Sequence, residues 1–308
     1  MAVTTSQVVH NREDLANIIN DITPEDTYVY STIEKTKATG TRHENLTEEL
    51  SPPNSKNAFA ENATFEDSVM TVPERLGNYT QISRKVVGAS GTLRAINTAG
   101  SNDEFVRQVK KAGVEIRRDI EAGLVSENAS VASPVRFSAG MEAWISTNAL
   151  HGTGGSTPGY NGNVTPSPVD GTTRVFTEAM FQEAAQKAWV AGGKVTKVIA
   201  PPALKQVIST FSGNATKYTI ASDKKTTAGV DVYVSDFETH SVIPHRYIRS
   251  TTVIMFDPDL WALATLRNFK VEDVAKVADG DRKALITEWT LESKNQRGNA
   301  KIADLKAR

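Results

Sequence analysis

The residues of this 308-residue chain that could do chemistry are its five histidines, its glycine-rich stretches and its adjacent carboxylates, and none completes a site. Gly152, Gly154 and Gly155 open a long run rich in Gly, Pro, Asn and Thr at 151–173. A phosphate-cradling loop needs its glycines at a strand-to-helix turn, with Lys and then Ser or Thr at fixed offsets. These glycines complete no such pattern, and Gly192-Gly193-Lys194 is followed by Val195. His240 and His245 lie five apart with Pro244 between them, and His43 precedes Glu44. A metal would need further convergent ligands, and no HExxH helix motif occurs. There is no cysteine, so thiol nucleophiles, thiolate metal sites and disulfides are excluded, and no G-x-S-x-G is present. Glu48-Glu49 falls in a polar stretch, where solvation gives the pair no acid–base role. The sequence predicts no enzyme, no cofactor and no metal site.

The clearest element is a helix over 102–125. Asn102 is its expected cap, with Asp103 and Glu104 in the first turn. Phe105, Val109, Ala112, Ile116, Ile120 and Leu124 recur at steps of three or four and make one apolar stripe. Arg107, Lys110, Lys111, Arg117 and Arg118 share a second arc, and Glu104, Glu115 and Asp119 a third. The basic arc could face nucleic acid or an acidic partner, or it could form ion pairs within and between subunits. Nucleic-acid readers add aromatics or a recognisable module to such a strip. Neither is present, and the net charge is −1, so ion pairing is the preferred reading.

Around that helix, 39% hydrophobic and 23% charged residues are enough for a core, mostly in the second half. The length predicts two domains, or one core with large excursions. Helices are expected over 177–191 and 202–211, a buried strand over 195–200, and apolar strands over 230–234 and 252–256. A long antiparallel hairpin is expected from 261–275 and 283–293, carrying Trp261 and Trp289. The N-terminus has no basic flank followed by an apolar run, so no signal peptide is expected there. No run approaches the length of a membrane span, and the expected site of synthesis is the cytoplasm.

The first hundred residues read differently. A short helix fits 12–22, and extended stretches fit 27–35, 41–50, 63–72 and 78–87. Ser51-Pro52-Pro53-Asn54 marks the tip of a two-stranded projecting loop. Such a ribbon is marginal alone in water. Its scattered apolar residues, among them Tyr28, Tyr30, Ile33, Leu46, Phe59 and Phe65, are expected to find burial on another molecule, with Arg42 in the same contact set.

The order of these parts resembles the major capsid proteins of tailed bacteriophages. The resemblance is carried by residues 23–44 (TPEDTYVYSTIEKTKATGTRHE), 75–83 (RLGNYTQIS), 157–163 (TPGYNGN), 211–216 (FSGNAT), 230–237 (VDVYVSDF), 256–269 (FDPDLWALATLRNF) and 290–295 (TLESKN). None is a catalytic signature. Where family members often have Pro after the Asp26-Thr27 pair, this chain has Tyr28. The resemblance implies an α+β Johnson-type capsid fold. Residues 1–40 would be an N-terminal arm, 41–90 an extended loop and 91–150 a peripheral domain with a spine helix. Residues 151–245 would supply a glycine-rich loop and axial domain, and 246–308 the peripheral domain's last strands. It also implies self-assembly into hexamers and pentamers of an icosahedral virion capsid around double-stranded DNA. Portal, scaffold and decoration proteins would be further partners, there would be no membrane partner, and the basic arc would touch packaged DNA without specificity. An encapsulin-type shell of the same fold is the near alternative. An enzyme using 151–173 as a lid is the distant one.

Overall fold

A computed structural model describes residues 27–65, 67, 71–96, 103–211, 232–276 and 278–307. The helix expected at 12–22, the proposed cap Asn102 and most of the 211–216 block lie outside them. In chain order the elements are α1 (Tyr28–Thr32), β1 (Glu34–Lys37), β2 (Arg42–Thr47), β3 (Glu74–Tyr79), β4 (Gln81–Ser90), α2 (Gly91–Ala95) and α3 (Glu104–Leu124). Next come α4 (Met141–Trp144), β5 (Ala149–Leu150), β6 (Arg174–Val175), α5 (Glu178–Val190), β7 (Lys197–Ala200) and α6 (Pro202–Ile208). The chain closes with β8 (Val232–Val234), β9 (Thr239–Pro244), β10 (Val253–Phe256), β11 (Trp261–Val274), β12 (Gly280–Ser293), β13 (Ala300–Ile302) and β14 (Leu305–Lys306).

A six-stranded sheet, ordered β5-β13-β10-β7-β9-β8, stands between two hydrophobic cores. Val198, Ala200, Val253 and Met255 face the core built with α5 and α6. Ile199, Ile254 and Phe256 face the core built with α3 and α4. Burial on both faces is why VIA and VIMF read as continuous apolar runs rather than alternating ones. The second sheet, ordered β1-β11-β12-β4, contains the expected hairpin, paired from Trp261↔Ser293 to Val274↔Arg282. Its inner face meets α3. Trp289 packs so closely on the helix at Gly123 that a Cβ there would lie 2.8 Å from the ring. The indole nitrogen donates to Ser83 Oγ at 2.9 Å.

Helix α3 runs 21 residues, roughly 31 Å, and buries Phe105, Ala112, Ile116, Ile120 and Leu124. Asp103, not Asn102, supplies the cap, accepting from Phe105 N at 2.9 Å and Val106 N at 3.2 Å. One residue on α3 breaks the pattern. Glu121 is fully buried, and its carboxylate accepts from Val29 N and Tyr30 N at 2.7 Å each. His245 Nε2, just after β9, lies 2.8 Å from it.

That carboxylate accounts for the first correction. Residues 27–35 are β-branched and aromatic, which favours an extended reading. Instead 28–32 form α1, whose amides find an acceptor in Glu121 and whose Val29 is sealed in the core. Ile33 is 3% exposed in the same core. The expectation that the first hundred residues shelter only on another molecule therefore fails for 28–38. It also fails for Leu76 and Asn78, both buried within the subunit. The second correction concerns the projecting loop. No strand forms among the described residues of 63–72; β2 pairs with β3, from Arg42↔Tyr79 to Thr47↔Glu74.

A second polar group is sealed between the sheets. Lys301 on β13 is fully buried, donates to Glu142 O at 2.5 Å, and sits near the Glu142 carboxylate. Burial pulls its ammonium down to about 8 from 10.5, with Glu142 partly opposing the shift.

Two outcomes follow from these buried groups. Glu121→Ala leaves two amides and His245 without their acceptor and should cost about 3 kcal/mol in denaturant unfolding. Glu121→Gln, which keeps one acceptor oxygen, should cost less. A wild-type midpoint for the alanine variant would rule out the anchoring role. For Lys301, both states are charged below pH 8 and the burial penalty is fully present. Between about pH 8 and 10.5 the unfolded chain binds more protons than the folded one, so this group adds stability as pH rises through that window. Lys301→Met should flatten that rise, and an unchanged slope would exclude Lys301 as its source.

Candidate assembly surface

Four of the blocks that carry the resemblance, 23–44, 75–83, 157–163 and 290–295, meet in space at the root of the projecting loop. Asn78 on β3 is 2% exposed. Its amide nitrogen donates to Leu291 O at 2.8 Å, Ser138 Oγ at 3.1 Å and Ala139 O at 3.2 Å, while its oxygen accepts from Ala139 N at 3.0 Å. It therefore ties the loop's return strand to β12 and to the segment before α4. Thr80 donates to Glu288 Oε1 at 2.8 Å. Burial would raise the pKa of Glu288, but Thr80, Arg267 and Arg136 outweigh it and hold the carboxyl below its usual range.

The outgoing strand is tied to the same place. His43 Nε2 lies 2.9 Å from Glu292 Oε2, and Thr36 on β1 donates to that oxygen at 2.8 Å. The His43 hydrogen bond, with Thr36 assisting against burial, keeps the Glu292 pKa low. Asn45 Nδ2 donates to Ser293 O at 2.9 Å. The arm strand β1, the loop strands and the end of the hairpin thus share one polar junction. It accounts for the 75–83 and 290–295 blocks.

The 157–163 block is the third part of the junction. Tyr160 stacks on Trp144 with ring centroids 5.5 Å apart. Its hydroxyl accepts from Arg42 Nη2 at 2.8 Å and donates to Gly162 O at 2.8 Å. Gly162 O and Asn163 Oδ1 also accept from Arg42, at 3.2 and 3.3 Å. Asn161 Oδ1 accepts from Asn163 N and Val164 N, and Gly159 and Gly162 take φ values of +72° and +90° that favour glycine. The turn is a prop under β2.

The stretch 151–173 is consequently not built as a lid. Asp304 accepts from Gly152 N and Gly171 N, each at 2.9 Å, closing both ends of the loop onto the body. Burial would raise the pKa of Asp304, but those two amides and His151 hold it below the ordinary carboxylate range. Among the described residues no group of three or more His, Asp or Glu side chains could hold a metal ion. No described helix is long and apolar enough to cross a membrane.

The expected contact residues separate into two sets. Ile33 is enclosed in the subunit core, Tyr28 and Tyr30 pack against that core half-buried, and Arg42 is engaged by the 160–163 turn. Their burial and bonding are supplied within the subunit. Leu46 is 67% exposed, Phe59 77% and Phe65 fully exposed, and Leu50 and Val72 share that exposure. The sequence did not single out Asn78, Glu121 or Asp304. A polar residue inside an apolar period was the available signal only for Glu121, which follows Ile120 on α3. The basic arc also divides. Arg107 binds Glu104 at 2.6 Å and Arg118 donates to Tyr247 at 3.0 Å, whereas Lys110, Lys111 and Arg117 are exposed.

Comparison with known proteins agrees with this architecture. The sequence profile of the SU10 major capsid protein matches residues 2–306. The major capsid protein of Escherichia phage Phieco32 is 35% identical over 114 residues, which is 37% of this chain and 32% of that protein. The matched segment thus spans about a third of that relative's length. Among solved structures, the capsid of a native GTA particle computed with C5 symmetry aligns with a TM-score of 0.67 at 10% identity, covering 98% of each chain. A structure from Mycobacterium phage Adephagia gives 0.62 at 10% identity, over 96% of this chain and 92% of that one. The holo-SrpI encapsulin complex from Synechococcus elongatus gives 0.58 at 10% identity, over 100% and 97%. The α+β architecture is the Johnson-type capsid fold.

Asn78→Leu keeps the volume but leaves Leu291 O and Ala139 N unpaired, and should cost about 2–4 kcal/mol. Hydrogen exchange should quicken at the β2 and β3 amides while α5 stays protected. Unchanged exchange in β3 would show that Asn78 does not hold the loop root.

Proposed function

The chain belongs to the SU10 major capsid protein family, and from that premise we propose that it builds a phage head through a projecting loop that lies on a neighbouring copy. The head would be a closed icosahedral shell of hexamers and pentamers enclosing double-stranded DNA, assembled in the host cytoplasm. The observation that carries the reading is the contrast along one loop. Its root is fixed by Asn78, Arg42 and Glu292, whereas Leu50, Phe59, Phe65 and Val72 beyond it are 77% exposed or more. Apolar side chains left in water on a rigid mount are what an inter-subunit contact requires.

The mechanism is association without bond making. A specific interface buries roughly 1,600 Å² in total. Each subunit would form several such interfaces, because loop, axial region and peripheral sheet meet different neighbours. With no cysteine in the chain, contact strength must come from burial, strand pairing and ion pairs. Portal, scaffold and decoration proteins would join the same assembly. The family match and the Phieco32 relative favour this reading over an encapsulin-type compartment, whose likeness is one of fold.

Replacing 48–73 by Asn-Gly joins Thr47 to Glu74 through a two-residue turn that suits the existing β2–β3 register. The shortened chain should fold with a melting temperature near that of the full chain and form no shells by sedimentation or electron microscopy. Normal shells from it would refute the loop's role. Phe59→Asp with Phe65→Asp should give the same loss without shortening the chain.

A further inference from the structure

One face of the long helix is covered at one end and bare at the other. Lys110, Val114, Arg117 and Glu121 follow one another along α3 at steps of four, three and four. At Glu121 this face is sealed by α1, which is entered from Thr27. Upstream of that contact Val114 is half-buried, and Lys110, Arg117 and the adjoining Lys111 are exposed. None of these three cations is in an ion pair with a described residue. The helix's own acidic arc is engaged elsewhere: Glu115 and Asp119 meet Lys85 on β4, at 3.8 and 3.2 Å.

The segment that leads into α1 has the opposite charge. Residues 1–26 lie outside the described residues. Their carboxylates are Glu13, Asp14, Asp21, Glu25 and Asp26, and Arg12 is their one arginine or lysine. Within the helix expected over 12–22, Leu15, Ile18, Ile19 and Ile22 fall on one apolar stripe. A helix so short is marginal alone in water, so its stripe needs a surface.

The two patterns share a register. Asp14, Ile18 and Asp21 repeat the steps of Lys110, Val114 and Arg117, four residues and then three. Laid side by side and parallel, the helices bring Asp14 to Lys110, Ile18 to Val114 and Asp21 to Arg117. One subunit has the reach to do this. Ile22 lies five residues before Thr27, up to about 17 Å of extended chain. Arg117 lies four residues before Glu121, about 6 Å along the axis of α3.

We infer that residues 12–22 form a helix that lies along the bare face of α3 in the same subunit. Leu15 and Ile18 rest on Val114 and the stems of Lys110 and Lys111, while Asp14 and Asp21 meet Lys110 and Arg117. Exposed ion pairs contribute little each, so the apolar stripe holds the helix and the charges select its register. The pairing belongs to the single subunit and does not rest on the shell reading. The competing occupants are nucleic acid, whose phosphates the same cations would attract, and the corresponding segment of a second copy. The shared spacing of apolar and charged positions favours the subunit's own segment.

The test uses the full-length chain, in which an introduced cysteine pair reports a single contact because no native cysteine exists. On mild oxidation, Ile18→Cys with Val114→Cys should form a disulfide at least about tenfold faster than Asn20→Cys with Val114→Cys, whose first position lies on the opposite side of the helix. The product should migrate as a single chain on a denaturing, non-reducing gel. A dimer-sized product would place the segment on another copy. Bonding no faster than in the Asn20→Cys chain would leave the face to nucleic acid. Either result overturns the inference. Charge reversal checks the register separately. Added to the Ile18→Cys, Val114→Cys chain, Asp14→Lys with Asp21→Lys should slow the bond, and so should Lys110→Glu with Arg117→Glu. All four reversals together should restore the rate, and a rate as slow as with either pair would overturn the register.

Discussion

A buried carboxylate must be fully partnered, and the position of Glu121 imposes that condition on two other stretches of chain. It sits fully buried in the last turn of the longest described helix, where solvent cannot satisfy it. The two amides that open α1 and the ring of His245 take that role. The consequence is organisational. Residues 28–32 are drawn onto α3, so β1 emerges where it can run parallel to β11, Glu34 opposite Ala262. Thr36 then reaches Glu292, and β2 begins at the root of the loop. One charge on a helix thus sets where the arm enters, and through the arm where the loop departs.

The loop root and the loop beyond it obey opposite rules. At the root nearly every polar group has a partner within the subunit: Asn78 with three acceptors, Arg42 with the 160–163 turn, Asn45 with Ser293. Beyond Thr47 the ladder stops and apolar side chains face outward. Ordering a segment costs roughly 1–2 kcal/mol per residue, and for 48–65 the subunit sets against it only the Glu49–Arg297 pair and a few local turn hydrogen bonds. A stiff mount carrying an uncommitted segment fixes direction while leaving the contact itself to association. This division suits a shell, in which one contact must recur between many copies and remain correctable during growth.

Local sequence was informative wherever burial followed a period. The apolar stripe of α3, the strands at 195–200 and 252–256 and the long C-terminal hairpin were legible because one face or both faces of each meet a core. Legibility ended where a distant partner decided. Residues 28–32 look extended by propensity and become helical because Glu121 lies 91 to 92 positions away. The 63–72 run has strand composition, yet its place opposite β2 is taken by Glu74–Tyr79, whose Asn78 has buried partners at 138–139 and 291. Likewise, Arg42 read as a contact residue because its acceptors, at 160–163, are invisible from its own neighbourhood. The exposure of Phe59 and Phe65, by contrast, could be anticipated, since no periodic apolar partner accompanies either in sequence.

The glycine-rich stretch shows how the same composition serves architecture instead of catalysis. Glycine, proline and asparagine allow tight turns, and an enzyme lid and a strut both need them. What separates the two is how the ends are held. A lid needs ends that can give. Here one carboxylate, Asp304, binds the amides of Gly152 and Gly171 together, and a backbone pair between Ser156 and Val169 narrows the loop further. The tip is then pressed between Trp144 and Arg42 by Tyr160. Each of these contacts resists motion, and those of the 160–163 turn with Arg42 reach the base of β2. The stretch therefore carries the rigidity of the core outward to the root of the projecting loop.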